Sequence, residues 1–196
     1  GYSLAIGKMH TPVAADQYAD LIVGGPYEQV AGRGRGSAWI YYGGSQGVDF
    51  GRPYTKLTPP VTVGALAHNF NYGYSVAPVD LDDDGVDDLV VGAPLENTVS
   101  FAAQGAVFYY SSAANGGEFT GASTVTHKIE SPINNGNAGA TAHTRFGGMV
   151  SSAGDVNGDG FADLLVAEGY RHDWAFAAAS YGSYLYYGGG TGFGHT

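Results

Sequence analysis

The sequence predicts an all-β fold made of about three copies of one four-stranded antiparallel unit, and three observations lead there. The first is internal repetition. Gly1-Tyr2-Ser3-Leu4-Ala5 corresponds to Gly73-Tyr74-Ser75-Val76-Ala77 and to Gly147-Gly148-Met149-Val150-Ser151, and Asp20 to Pro26 corresponds to Asp88 to Pro94 and Asp163 to Gly169. The three aspartates are 68 and 75 residues apart, so the self-similarity runs through the whole chain. The second is composition: 33 glycines in 196 residues suit a chain dense in tight turns, and no long segment of 3.6-residue period competes for a helical reading. The third is a pair of acidic loops, 80–88 and 155–163, each running straight into a short apolar strand, Leu89-Val90-Val91-Gly92-Ala93-Pro94 or Leu164-Leu165-Val166-Ala167.

Within each unit the order is strand, loop, strand, variable loop, aromatic strand, Gly-rich turn and a fourth extended segment. The aromatic strands are aligned as Trp39-Ile40-Tyr41-Tyr42-Gly43, Val107-Phe108-Tyr109-Tyr110-Ser111 and Tyr184-Leu185-Tyr186-Tyr187-Gly188. The fourth segment falls at 54–57 and 124–129, and the third unit reaches Thr196 before one appears. Four antiparallel strands per repeat, joined by tight turns, describe a β-propeller blade. One blade cannot bury both its faces, so neighbours must stack. The chain is therefore divided as one propeller segment, 1–196, with repeats 1–72, 73–146 and an incomplete 147–196.

The acidic loops carry the chemistry. Asp80, Asp82, Asp84 and Asp88, and likewise Asp155, Asn157, Asp159 and Asp163, occupy positions 1, 3, 5 and 9 of their loops, with Gly85 or Gly160 at position 6. Alternate residues of a tight loop can point inward together. Like charges about 4 Å apart repel by roughly 4 kcal/mol at an intermediate dielectric, so such a cluster calls for a cation. A hard divalent ion with oxygen ligands fits, and calcium suits a flexible cage better than magnesium. The first six positions look like an EF-hand, but that motif needs Glu at position 12 and flanking helices. Position 12 is Val91 or Val166, and the following segment is β-rich. The terminal ligand is therefore assigned to Asp88 and Asp163, with the position-7 carbonyls of Val86 and Phe161 completing each set. An acidic turn that merely solvates a hairpin does not account for two loops of matched spacing and matched following strands.

Taken together, Tyr72-Gly73 or Phe146-Gly147, an acidic loop, and Asp-Leu-Val-Val-Gly-Ala-Pro resemble the FG-GAP repeats of integrin α-subunit propellers and their bacterial relatives. Gly24-Gly25-Pro26 and Gly92-Ala93-Pro94 stand for the GAP element, and the third unit departs from it with Ala167-Glu168-Gly169. The first unit departs further. Counting back from Asp20 puts Asp16 at position 5 but Ala14 and Pro12 at positions 3 and 1, so that loop is expected to be empty, and two calcium sites are expected in all. The resemblance implies structural calcium on loops joining strands 1 and 2, and ligand recognition on the opposite face. The strand 2–3 loops of that face hold Tyr27, Arg33 and Arg35 in the first unit, and Tyr170, Arg171, His172, Asp173 and Trp174 in the third. Aromatic and arginine side chains are what interface hot spots favour.

Bulk properties narrow the partners. Net charge is −10, and the two loops hold nine of the eighteen acidic residues, six in the first and three in the second. An acidic chain with eight Lys and Arg is a poor nucleic-acid binder. No apolar run approaches a membrane span. Calcium modules of this kind work where calcium is millimolar, so an extracellular, cell-surface or periplasmic setting is expected. No Ser lies in a G-x-S-x-G elbow, and no nucleophile–base–acid set is apparent, so an enzyme is not expected.

The function read from the sequence is thus a calcium-binding module for extracellular protein interaction or adhesion. The alternatives are a carbohydrate-binding propeller and an accessory domain of a secreted hydrolase. Sugar stacking on the tyrosine strands is the sharper role for Tyr41, Tyr42, Tyr109, Tyr110, Tyr186 and Tyr187; packing between blades is the plainer one. His68 and His143 recur before the FG element and suggest a repeated structural bond. Three blades leave two open edges, so further blades of a longer chain, or a second copy, are needed to close a ring.

Overall fold

The computed structural model describes residues 1–10, 18–29, 35–60, 70–96, 104–132, 144–169 and 182–193. Its strands are β1 (Ser3–Gly7), β2 (Asp20–Gly25), β3 (Ser37–Tyr41), β4 (Gly43–Gly44), β5 (Gly47–Val48), β6 (Thr55–Leu57), β7 (Ser75–Val79), β8 (Asp88–Ala93), β9 (Ala106–Tyr110), β10 (His127–Glu130), β11 (Phe146–Gly154), β12 (Asp163–Glu168) and β13 (Ser183–Tyr186). They form antiparallel sheets in the orders β1-β2-β3-β6, β7-β8-β9-β10 and β11-β12-β13, with β4-β5 as a small hairpin. The protein is all-β, and its sheets are blades of a β-propeller, the third lacking a fourth strand among the described residues.

Alternation along the middle sheet explains the stacking. Leu89, Val91, Phe108 and Tyr110 face the first sheet, where they meet Ile22, Ile40 and Leu57. Val90, Val107 and Tyr109 face the third, against Leu164 and Val166. Successive residues of a strand point to opposite faces, so a strand packed on both sides must be apolar at every position. All six residues of β8 are buried accordingly.

The pairing corrects the alignment of the aromatic strands. Leu21 pairs with Tyr41, Leu164 with Tyr186, but Leu89 with Tyr110. Tyr110 is thus the equivalent of Tyr41 and Tyr186, and the middle strand is offset by one residue from its sequence match. The tyrosines pack rather than present a sugar platform in the middle sheet, where Tyr109 and Tyr110 are both buried. At the outer sheet Tyr41 lies over Trp39 and Tyr54 instead, on the face that in the other sheets receives a preceding neighbour.

Adjacent sheets are joined by the FG element. Tyr72 and Phe146 are fully buried within their own sheets, Tyr72 against Phe108 and Phe146 against Tyr184. Their backbone N–H groups donate backwards, to Arg35 O and Gln104 O of the preceding sheet. The next residues, Gly73 and Gly147, have φ of +83° and +80°. A Cβ on Gly24 would lie 2.0 Å from Gly73 O, and one on Gly92 would lie 2.1 Å from Gly147 O. The two glycines of FG-GAP therefore mark the place where neighbouring backbones touch.

A second, unforeseen staple follows each third strand. Phe119 is buried in the core of the preceding sheet, and its carbonyl accepts from Tyr42 and Thr55 hydroxyls at 2.9 Å. Phe193 packs edge-on to Tyr109 at 4.6 Å. Phe50, in the same Gly-rich setting of the first unit, is 90% exposed. Leu4 and Ile6 on β1 are 68% and 71% exposed, and Met149 on the far sheet is 68% exposed. The two outer faces carry the residues that the inner faces bury. Removing the ring of Phe119 should cost about 3–5 kcal/mol by cavity formation, whereas Phe50→Ala should leave the stability of the isolated chain nearly unchanged. Urea midpoints of the two variants check this, and equal losses would contradict the staple.

Candidate metal centre

A carboxylate at the first residue of each second strand organises every strand 1–2 loop. One oxygen accepts a backbone N–H from beyond the third strand: Gly43 N to Asp20, Ser112 N to Asp88 and Gly188 N to Asp163, at 2.8, 2.7 and 3.0 Å. The other accepts the N–H of the loop's second residue: Met9, Leu81 or Val156, at 2.9, 3.2 and 2.8 Å. Burial with these donors fixes the loop to the sheet before any ion is considered. Burial pushes the Asp88 carboxyl up to about 6 against its N–H and Tyr109 O–H bonds.

In the 80–88 loop, oxygens of Asp80, Asp82 and Asp84 lie within 4.8 Å of one another. Left-handed backbone at Asp83 and Gly85 turns the chain so that these alternate residues converge. Asp80 accepts Asp84 N at 3.1 Å and Gly85 N at 3.0 Å, and Asp84 accepts Val86 N at 2.8 Å and Ser112 Oγ at 3.1 Å. Asp82 Oδ1 is buried and has no hydrogen-bond partner among the described residues. Burial, with mutual repulsion, raises both Asp80 and Asp82 above the usual carboxylate range. Converging anions with an unsatisfied buried oxygen fit a hard cation, and the all-oxygen donor set suits calcium. Asp88 lies outside the compact group of three, with both oxygens on N–H and O–H donors. Val86 is buried at the loop's seventh position.

The 155–163 loop repeats the framework bond for bond. Asp155 accepts Asp159 N and Gly160 N, and Asp159 accepts Phe161 N at 3.0 Å. It differs in exposure. Asp155 is open to solvent and held below the usual carboxylate range, chiefly by the Gly160 N–H. Asn157 binds Asp159 through its amide at 2.8 Å, and no compact carboxylate trio forms here among the described residues.

The first unit requires a second correction. Gly7 pairs with Asp20 as Val79 pairs with Asp88 and Gly154 with Asp163. Positions 1 and 3 of its loop are therefore Lys8 and His10, not Pro12 and Ala14. The extra residues enter after position 3, which counting back from Asp20 cannot reveal. His10 Nδ1 lies 2.8 Å from Asp20 Oδ2, both side chains buried. Nitrogen groups stand at positions 1 and 3 of this loop, where the other loops have side-chain oxygen. Asp16 lies outside the described residues.

The 80–88 loop also touches both neighbours. Asp87 Oδ2 accepts Lys8 N at 2.6 Å, and Asp87 N donates to Lys8 O. Leu81 O accepts Gly189 N of the third unit at 2.9 Å.

At the opposite strand ends, Tyr27 is exposed and meets Tyr2 edge-on at 5.8 Å, and Arg35 lies over Phe70 at 5.6 Å. Arg33, Tyr170, Arg171, His172, Asp173, Trp174, His68 and His143 lie outside the described residues. Sequence reading passed over a repeated ion pair here: Glu28 with Lys56 and Glu96 with Lys128 at 3.0 Å. The signal was present, since Glu28 and Glu96 each follow the strand-2 aspartate by eight residues. Lys56 and Lys128 also lie over equivalent rings, Trp39 and Phe108.

The profile of the FG-GAP repeat matches residues 72–110 and 147–194, covering Tyr72-Gly73, Gly147 and both acidic loops. The chain is an FG-GAP repeat protein. Its curated relatives include integrin alpha-4 of Xenopus laevis, 28% identical over 85% of this chain and 13% of the relative. Integrin alpha-6 of Gallus gallus is 35% identical over 51% of the chain and 8% of the relative. Phosphatidylinositol-glycan-specific phospholipase D of Bos taurus is 30% identical over 77% of the chain and 17% of the relative. The FG-GAP chain thus spans less than a fifth of these relatives.

Its acidic centre predicts a pH signature. The folded pKa of Asp88, about 6, exceeds the usual 3.8, so its stabilisation is fully present below the lower value and lost as pH rises through the upper one. Calcium-free protein should lose up to roughly 3 kcal/mol from this group across that window. Calcium-saturated protein should lack the slope. Thermal melts from pH 4 to 7, with chelator and with calcium, check it; a calcium-free melting temperature that rises across the window would contradict it.

Proposed function

We propose that this FG-GAP chain is a calcium-braced propeller segment that serves protein interaction or adhesion outside the cell. The observation that carries the calcium reading is the convergence of Asp80, Asp82 and Asp84 around a buried Asp82 oxygen that has no partner among the described residues. The ligand sets proposed are Asp80, Asp82, Asp84, the Val86 carbonyl and Asp88, and Asp155, Asn157, Asp159, the Phe161 carbonyl and Asp163. Calcium supplies charge neutralisation there. Because Asp87 binds the first unit and Leu81 the third, ordering the 80–88 loop fixes three blades relative to one another. No chemical step is asked of it.

The exposed Phe50 and Leu4 support further blades outside this segment, since their second-unit equivalents Phe119 and Val76 are buried against a neighbour. Recognition is assigned to the end opposite the acidic loops, where Tyr27 and Arg35 lie and where Arg33, Arg171, His172, Asp173 and Trp174 fall in sequence. No helix among the described residues is long and apolar enough to cross a membrane. The integrin relatives and the oxygen-rich acidic loops support a surface or secreted location.

The match to a phospholipase D favours one second reading, an accessory module carried by a secreted hydrolase. A catalytic domain encoded beside this segment would decide for it.

Calorimetric titration of chelator-treated chain should find two calcium sites and a rise in melting temperature. Asp84→Ala and Asp159→Ala should each remove one, and His10→Ala should lower stability without changing the count. Two sites retained in the double variant would refute the loop assignment. The less exposed 80–88 loop should fill before the 155–163 loop, so Asp84→Ala should delete the tighter phase.

A further inference from the structure

Among the described residues the chain holds two Asn-Gly steps, Asn115-Gly116 and Asn157-Gly158; a third, Asn135-Gly136, lies outside them. At such a step the side-chain amide is open to attack by the following backbone nitrogen, because glycine has no Cβ to shield it. The two described steps share the dipeptide and differ in what surrounds it. Asn115 Nδ2 donates to Ser111 O at 2.8 Å and to Thr124 O at 3.3 Å, and Asn115 Oδ1 accepts Thr124 N at 2.9 Å. Gly116 N donates to the neutral carbonyl of Ala113. That amide is tied across its turn.

Asn157 stands in the exposed 155–163 loop, and each group that ring closure needs is bonded to it or to Gly158. Gly158 N donates to Asp155 Oδ1 at 2.7 Å. Asn157 Oδ1 accepts Asp159 N at 3.0 Å, and Asn157 Nδ2 donates to Asp159 Oδ2 at 2.8 Å. Gly158 has φ of +79°, and a Cβ built on it would meet nothing within 4 Å, so the step is open to water. We propose that Asn157 is a self-modification site, where the loop's own carboxylates promote conversion of the amide to aspartate or isoaspartate while no cation holds it.

Gly158 N bonds to Asn157 Cγ and passes its proton to Asp155, which already accepts it in a hydrogen bond. The Asp159 N–H stabilises the negative charge that develops on Asn157 Oδ1. The Cγ–Nδ2 bond then breaks, and ammonia leaves with the proton that Asp155 returns through solvent. One water adds across either C–N bond of the resulting succinimide ring and leaves aspartate or isoaspartate at 157. The sum is amide plus water to acid plus ammonia, with nothing oxidised or reduced.

Aspartate at 157 would give this loop the acids of the second unit, where Asp80, Asp82 and Asp84 converge within 4.8 Å. Isoaspartate would add a carbon to the backbone and move Asp159 and Asp163 out of step with Asp155. Calcium opposes both outcomes, because a ligating Asn157 oxygen is held toward the ion and its Cγ away from Gly158 N. That protection rests on the calcium reading above; the chemistry of the ion-free loop does not.

The test is peptide mapping by mass spectrometry of the full chain, aged at neutral pH with chelator or with saturating calcium. Electron-transfer fragmentation separates isoaspartate from aspartate. In chelator, Asn157 should convert several-fold faster than Asn115 when each is referred to its own rate in urea. Asp155→Asn should slow Asn157 several-fold and leave Asn115 unchanged. Saturating calcium should slow Asn157 by an order of magnitude, again without effect on Asn115. Asn157→Asp, made directly, should bind calcium at the 155–163 loop several-fold more tightly than freshly purified wild type.

Conversion at Asn157 no faster than at Asn115, or indifferent to Asp155→Asn, would overturn the site. So would equal rates with and without calcium in protein whose titration shows the 155–163 loop filled. A titration that finds no ion at that loop would instead refute the calcium reading, and the rates in chelator would still decide whether Asn157 modifies itself.

Discussion

Blade stacking in this protein depends on a backbone contact too close for side chains. Gly24 meets Gly73 O, and Gly92 meets Gly147 O, at distances that no Cβ permits. Around each contact the same bonds recur: Ser3 Oγ donates to Gly73 O and Ser75 Oγ to Gly147 O, while Tyr72 and Phe146 place their rings in one sheet and their N–H groups on the previous one. The close approach sets the spacing between sheets, and that spacing lets apolar residues from both interlock. Bulk hydrophobicity would draw the sheets together without fixing an angle or a register. The glycine contact supplies both, which gives the FG-GAP signature a physical meaning beyond a label.

At one end of the sheets, the strand-2 aspartates extend the same economy to the loops. Asp20, Asp88 and Asp163 use both oxygens to hold backbone N–H groups, so the loop frame is the same whether or not acids follow it. The first unit places Lys8 and His10 on that frame, and the second places Asp80 and Asp82. One scaffold thus supports a buried His–Asp pair in one blade and a converging carboxylate cluster in the next. Wedged between two neighbours, the 80–88 loop links the first and third units through Lys8 and Gly189. At the far end, Glu28 and Glu96 are each paired with a lysine, Lys56 and Lys128.

The repeat, the strand order and the position of both acidic loops were legible in the sequence, because period-2 apolar runs and invariant spacing survive without tertiary information. Three things were not. The one-residue offset of the middle aromatic strand was hidden because Tyr109-Tyr110 and Tyr41-Tyr42 look alike, and only pairing with Leu89 and Leu21 distinguishes them. The true first positions of the degenerate loop were hidden because its extra residues fall inside the loop, where no side-chain rule marks them. The Phe119 staple was hidden because a lone aromatic in a Gly-rich turn carries no period.

The sequence by itself determined the fold class, the number of units and which two loops concentrate negative charge, since each follows from residue type and spacing along the chain. The tertiary structure alone decided what those features touch. It placed Asp87 on Lys8 and Leu81 against Gly189, left Asp82 with a buried oxygen lacking a partner among the described residues, and brought Tyr27, Tyr74 and Gly169 from three units to one cleft. The reason is physical: contacts between blades join residues about seventy positions apart, and their register is set by how whole sheets interlock, a quantity that no local pattern encodes.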